Sequence, residues 1–263
     1  MTELLAPAKI NLALVVGPVR PDGRHEIATV LQRISLADRV ALEPASELRV
    51  DGFAEDTIVR RALEELAAAT GSTPNWRVTI AKEIPVAAGL GGGSSDAAAA
   101  LRLANWTLPR PLNDAALQGL AAKLGADVPF FLTTGAQLAE GDGTELTPLD
   151  LPHDYWILLL LPHDTRKEST AAVYDAFKGE DGFAERRSAL LKALALGDLA
   201  MLPANDLASS PLADELHALG ASRADVSGAG PTVYGLFADQ EEAIRAHAAL
   251  AARGETWIAA PAW

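Results

Sequence analysis

Ile84-Pro85-Val86-Ala87-Ala88-Gly89-Leu90-Gly91-Gly92-Gly93-Ser94-Ser95-Asp96, continued by four alanines to Ala100, decides how this chain is read. Gly89, Gly91, Gly92 and Gly93 carry no Cβ, so their amides can come close to a ligand. Ser94, Ser95 and Asp96 suit the N-cap and first turn of a helix that Ala97 to Leu101 propagate. A glycine loop that opens a helix is an anion site, because unpaired N–H groups and the helix dipole both favour negative charge. A strand-like run, Trp76 to Ile80, leads into it. A plain turn seldom needs so many glycines.

The two common phosphate loops fit poorly. A Walker loop ends in Gly-Lys-Ser/Thr, whose lysine reaches the terminal phosphates; here serine follows glycine directly. A dinucleotide fingerprint asks for glycine or alanine at position 94, close behind a strand. Ser94 stands there, and Pro85 to Ala88 intervene. The run from Pro85 to Ala97 instead resembles the phosphate loop of the GHMP kinase superfamily. Gly91 to Gly93 ahead of paired serines is most similar to the branch acting on a diphosphocytidyl-methylerythritol. Further stretches resemble that family in the same order: Pro7-Ala8-Lys9-Ile10-Asn11-Leu12, Pro21-Asp22-Gly23-Arg24-His25, Gly125-Ala126-Asp127-Val128-Pro129-Phe130-Phe131, Ala139-Glu140-Gly141 and Ser227-Gly228-Ala229-Gly230-Pro231. Each motif is moderately specific; five in order are strong.

Composition narrows the classes. The 263 residues hold one large or two modest domains, and 49% hydrophobic with 22% charged residues is ordinary for a globular chain with a core. No segment reaches the roughly 18 apolar residues of a membrane span. Met1-Thr2-Glu3-Leu4-Leu5 lacks the basic flank of a signal peptide. Cysteine is absent, which excludes disulfides and thiolate metal sites, and the cytoplasm is the expected compartment. A net charge of −13 argues against nucleic acid as partner. It does not forbid phosphate binding: screening over about 8 Å lets a local pocket differ in sign from the whole.

Hydrophobic patterning predicts strands at Leu4–Val16, Glu26–Ser35, Arg39–Glu43 and Glu47–Val50, then a helix capped by Asp56 with Leu63 and Leu66 on its apolar face. After the glycine-loop helix, Asn113 caps a helix to Leu124 that Gly125 closes. Strands follow at Gln137–Glu140 and Glu145–Pro148. A new alternation begins near Tyr155, which sets a boundary between domains 1–152 and 153–263. Helices are expected at Lys167–Phe177, Phe183–Leu196 and Pro211–Leu219. The closing order of strand, Gly228–Pro231 turn, strand, helix, strand fits a split βαβ, ferredoxin-like half. The fold class is α+β. The resemblance adds that the N-terminal half is similar to the ribosomal protein S5 domain 2 fold.

The resemblance implies phosphoryl transfer from ATP, with Mg²⁺ as its counter-ion, to the tertiary 2-hydroxyl of that cytidine diphosphate alcohol, on the methylerythritol phosphate route to isoprenoids. Such transfers pass through a loose transition state in which positioning and charge neutralisation dominate. By the family pattern Asp127 accepts the hydroxyl proton and Lys9 orients it and stabilises charge; a turn carboxylate and a surface amine are the ordinary readings. Strand alternation puts Asn11 on the face of Lys9, and the resemblance directs it to the methylerythritol end. His25 is implied as the partner of the cytosine. Arg24 stands where the family usually has a stacking tyrosine, and a guanidinium can also stack on a base. Tyr174 falls where an opposing aromatic is expected, although core packing would explain it equally. ATP is assigned to Pro85, Val86, Ala87, Ala88, Gly89, Leu90, Gly91, Gly92, Gly93, Ser94 and Ser95, with Lys82 near the adenine or solvated at a strand end. Thr57 replaces the family's asparagine near the base, so its one hydroxyl must serve where an amide has paired donor and acceptor. Asp96 suits the helix dipole and is given no metal. The Gly228–Gly230 turn either joins two strands or faces the substrate. Monomer and homodimer both stay open. The alternatives are another GHMP small-molecule kinase, of homoserine or mevalonate type, and a nucleotide-binding sensor without catalysis; the presence of both Lys9 and Asp127 argues against the latter.

Overall fold

The computed structural model describes residues 1–53, 57–163, 169–179 and 181–263. The chain forms two compact units. The first gathers residues 1–8, 36–86 and 91–134, and the second gathers 9–35, 87–90 and 135–263. Two long strands contribute to both, β1 (Thr2–Val19) and β2 (His25–Pro44), which pair with each other. The two strands expected at Glu26–Ser35 and Arg39–Glu43 are therefore one. The intervening Leu36-Ala37-Asp38 lacks strand propensity, but the Asp38 carboxylate accepts the backbone N–H groups of Glu83 and Ile84 at 2.6 and 2.8 Å, which fastens the segment.

In the first unit, β3 (Arg49–Asp51) runs parallel to β4 (Trp76–Ala81), and β4 pairs antiparallel with Arg39–Pro44 of β2. The alternation of Trp76, Val78 and Ile80 gives β4 a buried face. Four helices complete the unit: α1 (Thr57–Thr70), α2 (Gly92–Thr107), α3 (Asp114–Leu124) and the short α4 (Val128–Phe131). Helix α1 packs on α2. Val59, Ala62, Leu63 and Leu66 bury one stripe of α1, while Ala97 to Ala100, Leu101 and Ala104 on α2 are small enough for close approach. As expected, Asn113 caps α3 by accepting from Ala116 N–H, and Gly125 ends it. Asp56 lies outside the described residues, as do Lys167 and Glu168 of the helix expected at Lys167–Phe177.

In the second unit, Ile27–Leu31 of β2 pair with β5 (Ala136–Gly141), which returns as β6 (Glu145–Leu149). The remainder is an antiparallel sheet of β7 (Trp156–Pro162), β8 (Arg223–Val226), β9 (Val233–Phe237) and β10 (Gly254–Ala259), in the order β10-β7-β9-β8. That order is the one expected of a split βαβ arrangement. Helices α5 (Thr170–Ala176), α6 (Phe183–Leu196), α7 (Pro211–Ala218) and α8 (Gln240–Leu250) accompany it. Leu158, Leu160, Val233 and Phe237 from the sheet close a core with Leu216 of α7 and Ala243, Ala246 and Leu250 of α8. Leu158 to Leu160 have no exposed surface, which suits a short central strand.

Candidate functional site

Helix α2 begins at Gly92, three residues earlier than a cap at Ser94 would set it. Its N-cap is Gly91, in the left-handed conformation with φ 72°, and no side chain caps it. Ser94 and Ser95 therefore lie inside the first turn, and Asp96 just after it. The reason is steric, since glycine reaches the left-handed region without the Cβ penalty that serine would meet. The first N–H groups of α2 have no partner within the helix and are left for an anion. Ser95 is 1% exposed, and its hydroxyl has no hydrogen-bond partner. An orphan hydroxyl in the first turn of such a helix fits a phosphate oxygen or the cation that accompanies it.

Lys82 is not solvated. Its ammonium donates to Asp38 at 2.5 Å and to Asp96 at 2.8 Å, and both carboxylates are fully buried. Burial lowers the Lys82 pKa, but the bonds and charges of the two carboxylates outweigh it and hold the group above its ordinary value. A Cβ on Gly92 would stand 3.2 Å from the ammonium, so the cluster lies directly against the start of α2. Asp38, which sequence reading passed over, thus ties β2 to the residues entering the loop. Thr57 opens α1, but its side chain lies outside the described residues. Asp127 is half-buried at the N-cap position of α4, just past the Gly125 that ends α3. Arg102 of α2 donates to the carbonyl of Leu132 at the far end of α4, at 2.6 Å.

Residues 87–90 of the loop belong to the second unit, whereas Pro85 and Val86 end a segment of the first. Pro85 is half-buried and Val86 and Ala87 are exposed; Ala87 has φ 65°, the one positive value at a non-glycine among the described residues. Such a conformation costs an alanine roughly 1 kcal/mol, and it is held by the surroundings. Those surroundings are backbone and one side-chain hydroxyl. Thr232 N–H reaches Ala88 O at 3.3 Å, the Ser227 hydroxyl reaches Gly89 O at 3.1 Å, and Lys9 N–H reaches Leu90 O at 2.9 Å. At Gly89 a Cβ would fall 2.7 Å from the carbonyl oxygens of both Ser227 and Gly230, so only glycine fits.

Lys9 and Asn11 share a strand face as expected, and each is 5% exposed, which removes the reading of a surface pair. The Lys9 ammonium donates to Asn11 Oδ1 at 2.6 Å. Asn11 Nδ2 donates to Thr29 Oγ1 at 2.8 Å, and that hydroxyl donates to Ala13 O at 2.7 Å. This relay fixes which way the amide faces, so its oxygen points at the ammonium. The C-terminal glycine turn does more than join strands: a Cβ on Gly228 would stand 3.0 Å from Asn11 Oδ1 and 3.5 Å from Lys9 Nζ. Thr29, Ser227 and Asn205, which donates to Gly228 O at 2.6 Å, were not singled out from sequence; only the Ser-Gly-Ala-Gly string hinted at Ser227.

His25 Nδ1 lies 2.8 Å from Gly17 O. A carbonyl only accepts, so the proton sits on Nδ1, and in the neutral ring Nε2 is left as an acceptor. The half-buried Tyr174 ring stands 5.8 Å from His25 and Phe177 stands 5.9 Å away, edge-on. Tyr174 also packs with Phe177 and Leu207 against Leu14, Val16 and Ile27, so it belongs to the core and to the histidine's surroundings at once. Arg24 is exposed and donates to Asp142 at 2.5 Å. Burial pushes the Asp142 carboxyl up, but bonds from the Thr144 hydroxyl and N–H, then Arg24, carry it below its usual value.

Residues 57–135 match the family described as GHMP kinases N terminal domain, and residues 190–256 match GHMP kinases C terminal. The chain is 38% identical to the 4-diphosphocytidyl-2-C-methyl-D-erythritol kinase of Geobacter sulfurreducens, over 98% of this chain and 96% of that one. It is 39% identical to that of Rhodococcus jostii, over 95% and 88%. A crystal structure of 4-(cytidine 5'-diphospho)-2C-methyl-D-erythritol kinase is 35% identical and superposes with a TM-score of 0.84 over 100% of both chains. A homoserine kinase from Cytophaga hutchinsonii shares the fold at 16% identity, with a TM-score of 0.74 over 97% and 95%.

Proposed function

Because this chain belongs to the 4-diphosphocytidyl-2-C-methyl-D-erythritol kinase family of the GHMP kinases, we propose that it transfers the γ-phosphoryl group of ATP to the 2-hydroxyl of that substrate, in the methylerythritol phosphate route to isoprenoids. The observation that carries the reading is the glycine-capped start of α2, where unpaired backbone N–H groups and the orphan Ser95 hydroxyl offer donors to a polyphosphate. Residues 85–95 take the phosphate tail. Mg²⁺ bound with ATP supplies charge neutralisation, and Ser95 is the side chain suited to hold it.

Asp127 is the proposed base. A carboxylate is weak against an alcohol, but a loose transition state lets the proton leave late, when the oxygen is already bonding to phosphorus. Lys9 orients the acceptor and stabilises developing charge, and Asn11 aims the ammonium. Asn11 keeps its proposed contact with the methylerythritol end. His25 Nε2, an acceptor in the neutral ring, suits the exocyclic amine of cytosine, with Tyr174 beside it and Arg24 over the base. Lys82 and Thr57 keep a proposed place on the adenine side. For Lys82 the buried cluster makes that place indirect.

The test is ATP consumption dependent on 4-diphosphocytidyl-2-C-methyl-D-erythritol. Turnover of homoserine or mevalonate with none of that substrate overturns the assignment. Asp127→Asn should keep ATP binding and lose at least about 100-fold in kcat, as expected for a missing general base; unchanged turnover removes Asp127 from the mechanism.

A further inference from the structure

Asn205 lies in the second unit, outside every motif read from sequence, yet its side chain is fully committed. Nδ2 donates to Val226 O at 2.9 Å and to Gly228 O at 2.6 Å, while Oδ1 accepts from Leu207 N–H at 2.9 Å. Its backbone N–H donates to Asp225 at 2.9 Å. Asp225 also accepts from Arg223 at 3.2 Å, and Arg223 donates to Leu202 O, Pro203 O and the Tyr234 hydroxyl. Tyr234 donates in turn to Leu12 O at 3.1 Å, and Asp206 is fastened to β1 through Leu14 O and Val16 N–H. Residues 202–206 are thereby pinned between β1 and β8. The carbonyl that Asn205 grips belongs to Gly228, the residue against which Lys9 Nζ and Asn11 Oδ1 rest.

We infer that Asn205 is a positioning residue: its amide holds the Gly228 turn where that turn fixes the Lys9–Asn11 pair for phosphoryl transfer. The inference rests on the proposed kinase reading. Asn205 is 8% exposed and every polar atom of its side chain is bonded, so it acts through the turn and does not meet the substrate. Losing its two donors frees the turn, and small misplacements of a catalytic group lower rate more than binding.

The experiment compares wild type, Asn205→Ala and Asn205→Asp as full chains with ATP and 4-diphosphocytidyl-2-C-methyl-D-erythritol, together with hydrogen exchange of the Gly230 and Thr232 amides. For Asn205→Ala, kcat should fall about 10- to 100-fold while the KM for ATP stays within about two-fold, with both amides exchanging faster. Asn205→Asp should be slower still. It has the same volume, but its carboxylate offers no N–H and faces two carbonyl oxygens. A residue that only fills space would rank the other way, so an aspartate variant faster than the alanine variant overturns the inference. Wild-type kcat in Asn205→Ala with unchanged exchange overturns it also, and this arm stands alone if the aspartate variant does not fold. Wild-type protein without kinase activity overturns the kinase reading instead, and the exchange rates then decide separately whether Asn205 holds the turn.

Discussion

Each unit buries a charged cluster beside a glycine turn, and the two are built on different principles. Against Gly92 the cluster is ionic, one ammonium between the carboxylates of Asp38 and Asp96. Against Gly228 it is made of donors turned onto carbonyl oxygens: Asn205 on Val226 and Gly228, and Arg223 on Leu202 and Pro203, with Asp225 joining them. The first carries a formal excess of negative charge, which the positive end of α2 helps to offset. In the second most acceptors are peptide oxygens, which do not titrate. An ionic cluster can set the local potential under a phosphate site, whereas a carbonyl-facing cluster fixes backbone geometry. The difference matches what the two turns are proposed to do, one to receive charge and the other to aim a side chain.

The largest effect that would break this contrast belongs to Lys82→Met. It keeps the packing but strands two buried carboxylates, and it should cost about 3–5 kcal/mol in urea denaturation at neutral pH. In the wild type the Lys82 pKa is raised above 10.5. Its contribution is therefore complete below the ordinary lysine value and is lost as pH rises through the folded value. A cost below about 1 kcal/mol for Lys82→Met would place the cluster among surface ion pairs.

Asp225→Asn sharpens the other side. Burial raises the Asp225 carboxyl above its ordinary value of 3.8, against the pull of the Val226 N–H, Arg223 and the Asn205 N–H. The folded chain then binds that proton more tightly than the unfolded one. The associated stability is present below the ordinary carboxylate value and is lost as pH rises through the raised one. The stability difference between wild type and variant should decline over that window, with a cost at neutral pH of about 1–2 kcal/mol from weakened hydrogen bonds. A flat difference across the window would mean that burial does not act on Asp225. Arg24→Ala gives the smallest effect and the baseline. Its pair with Asp142 is exposed, so melting should shift by less than about 0.5 kcal/mol, whereas the KM for the cytidine substrate should rise several-fold if the guanidinium stacks on the base.

Much of the fold was legible because its signals are local. Asn113 and Gly125 bracket α3, Phe183–Leu196 is helical as patterned, and residues 142–144 separate β5 from β6, the two strands expected there. Beta-strand continuity was less so. Asp38 reads as a break, and only its bonds to Lys82, Glu83 and Ile84 explain why the strand runs through it. The serines after the glycine run read as caps, but a left-handed Gly91 takes that position. Asn205 gave no signal, because its partners lie about twenty residues away in strand and turn.

The amino-acid order by itself determined the glycine-bared loop, the alternation that sets Lys9 and Asn11 on one face, and the string of motifs that names the family. These depend on residue type and on spacings of a few positions, which the backbone converts directly into geometry. Only the tertiary structure decided that Lys82 is held by Asp38 and Asp96, that Thr29 turns the Asn11 amide toward Lys9, and that Asn205 grips the turn beside them. Those partners lie between 14 and 44 residues apart in the chain. Which polar groups meet at such range is set by strand register and by the need of each buried donor for an acceptor.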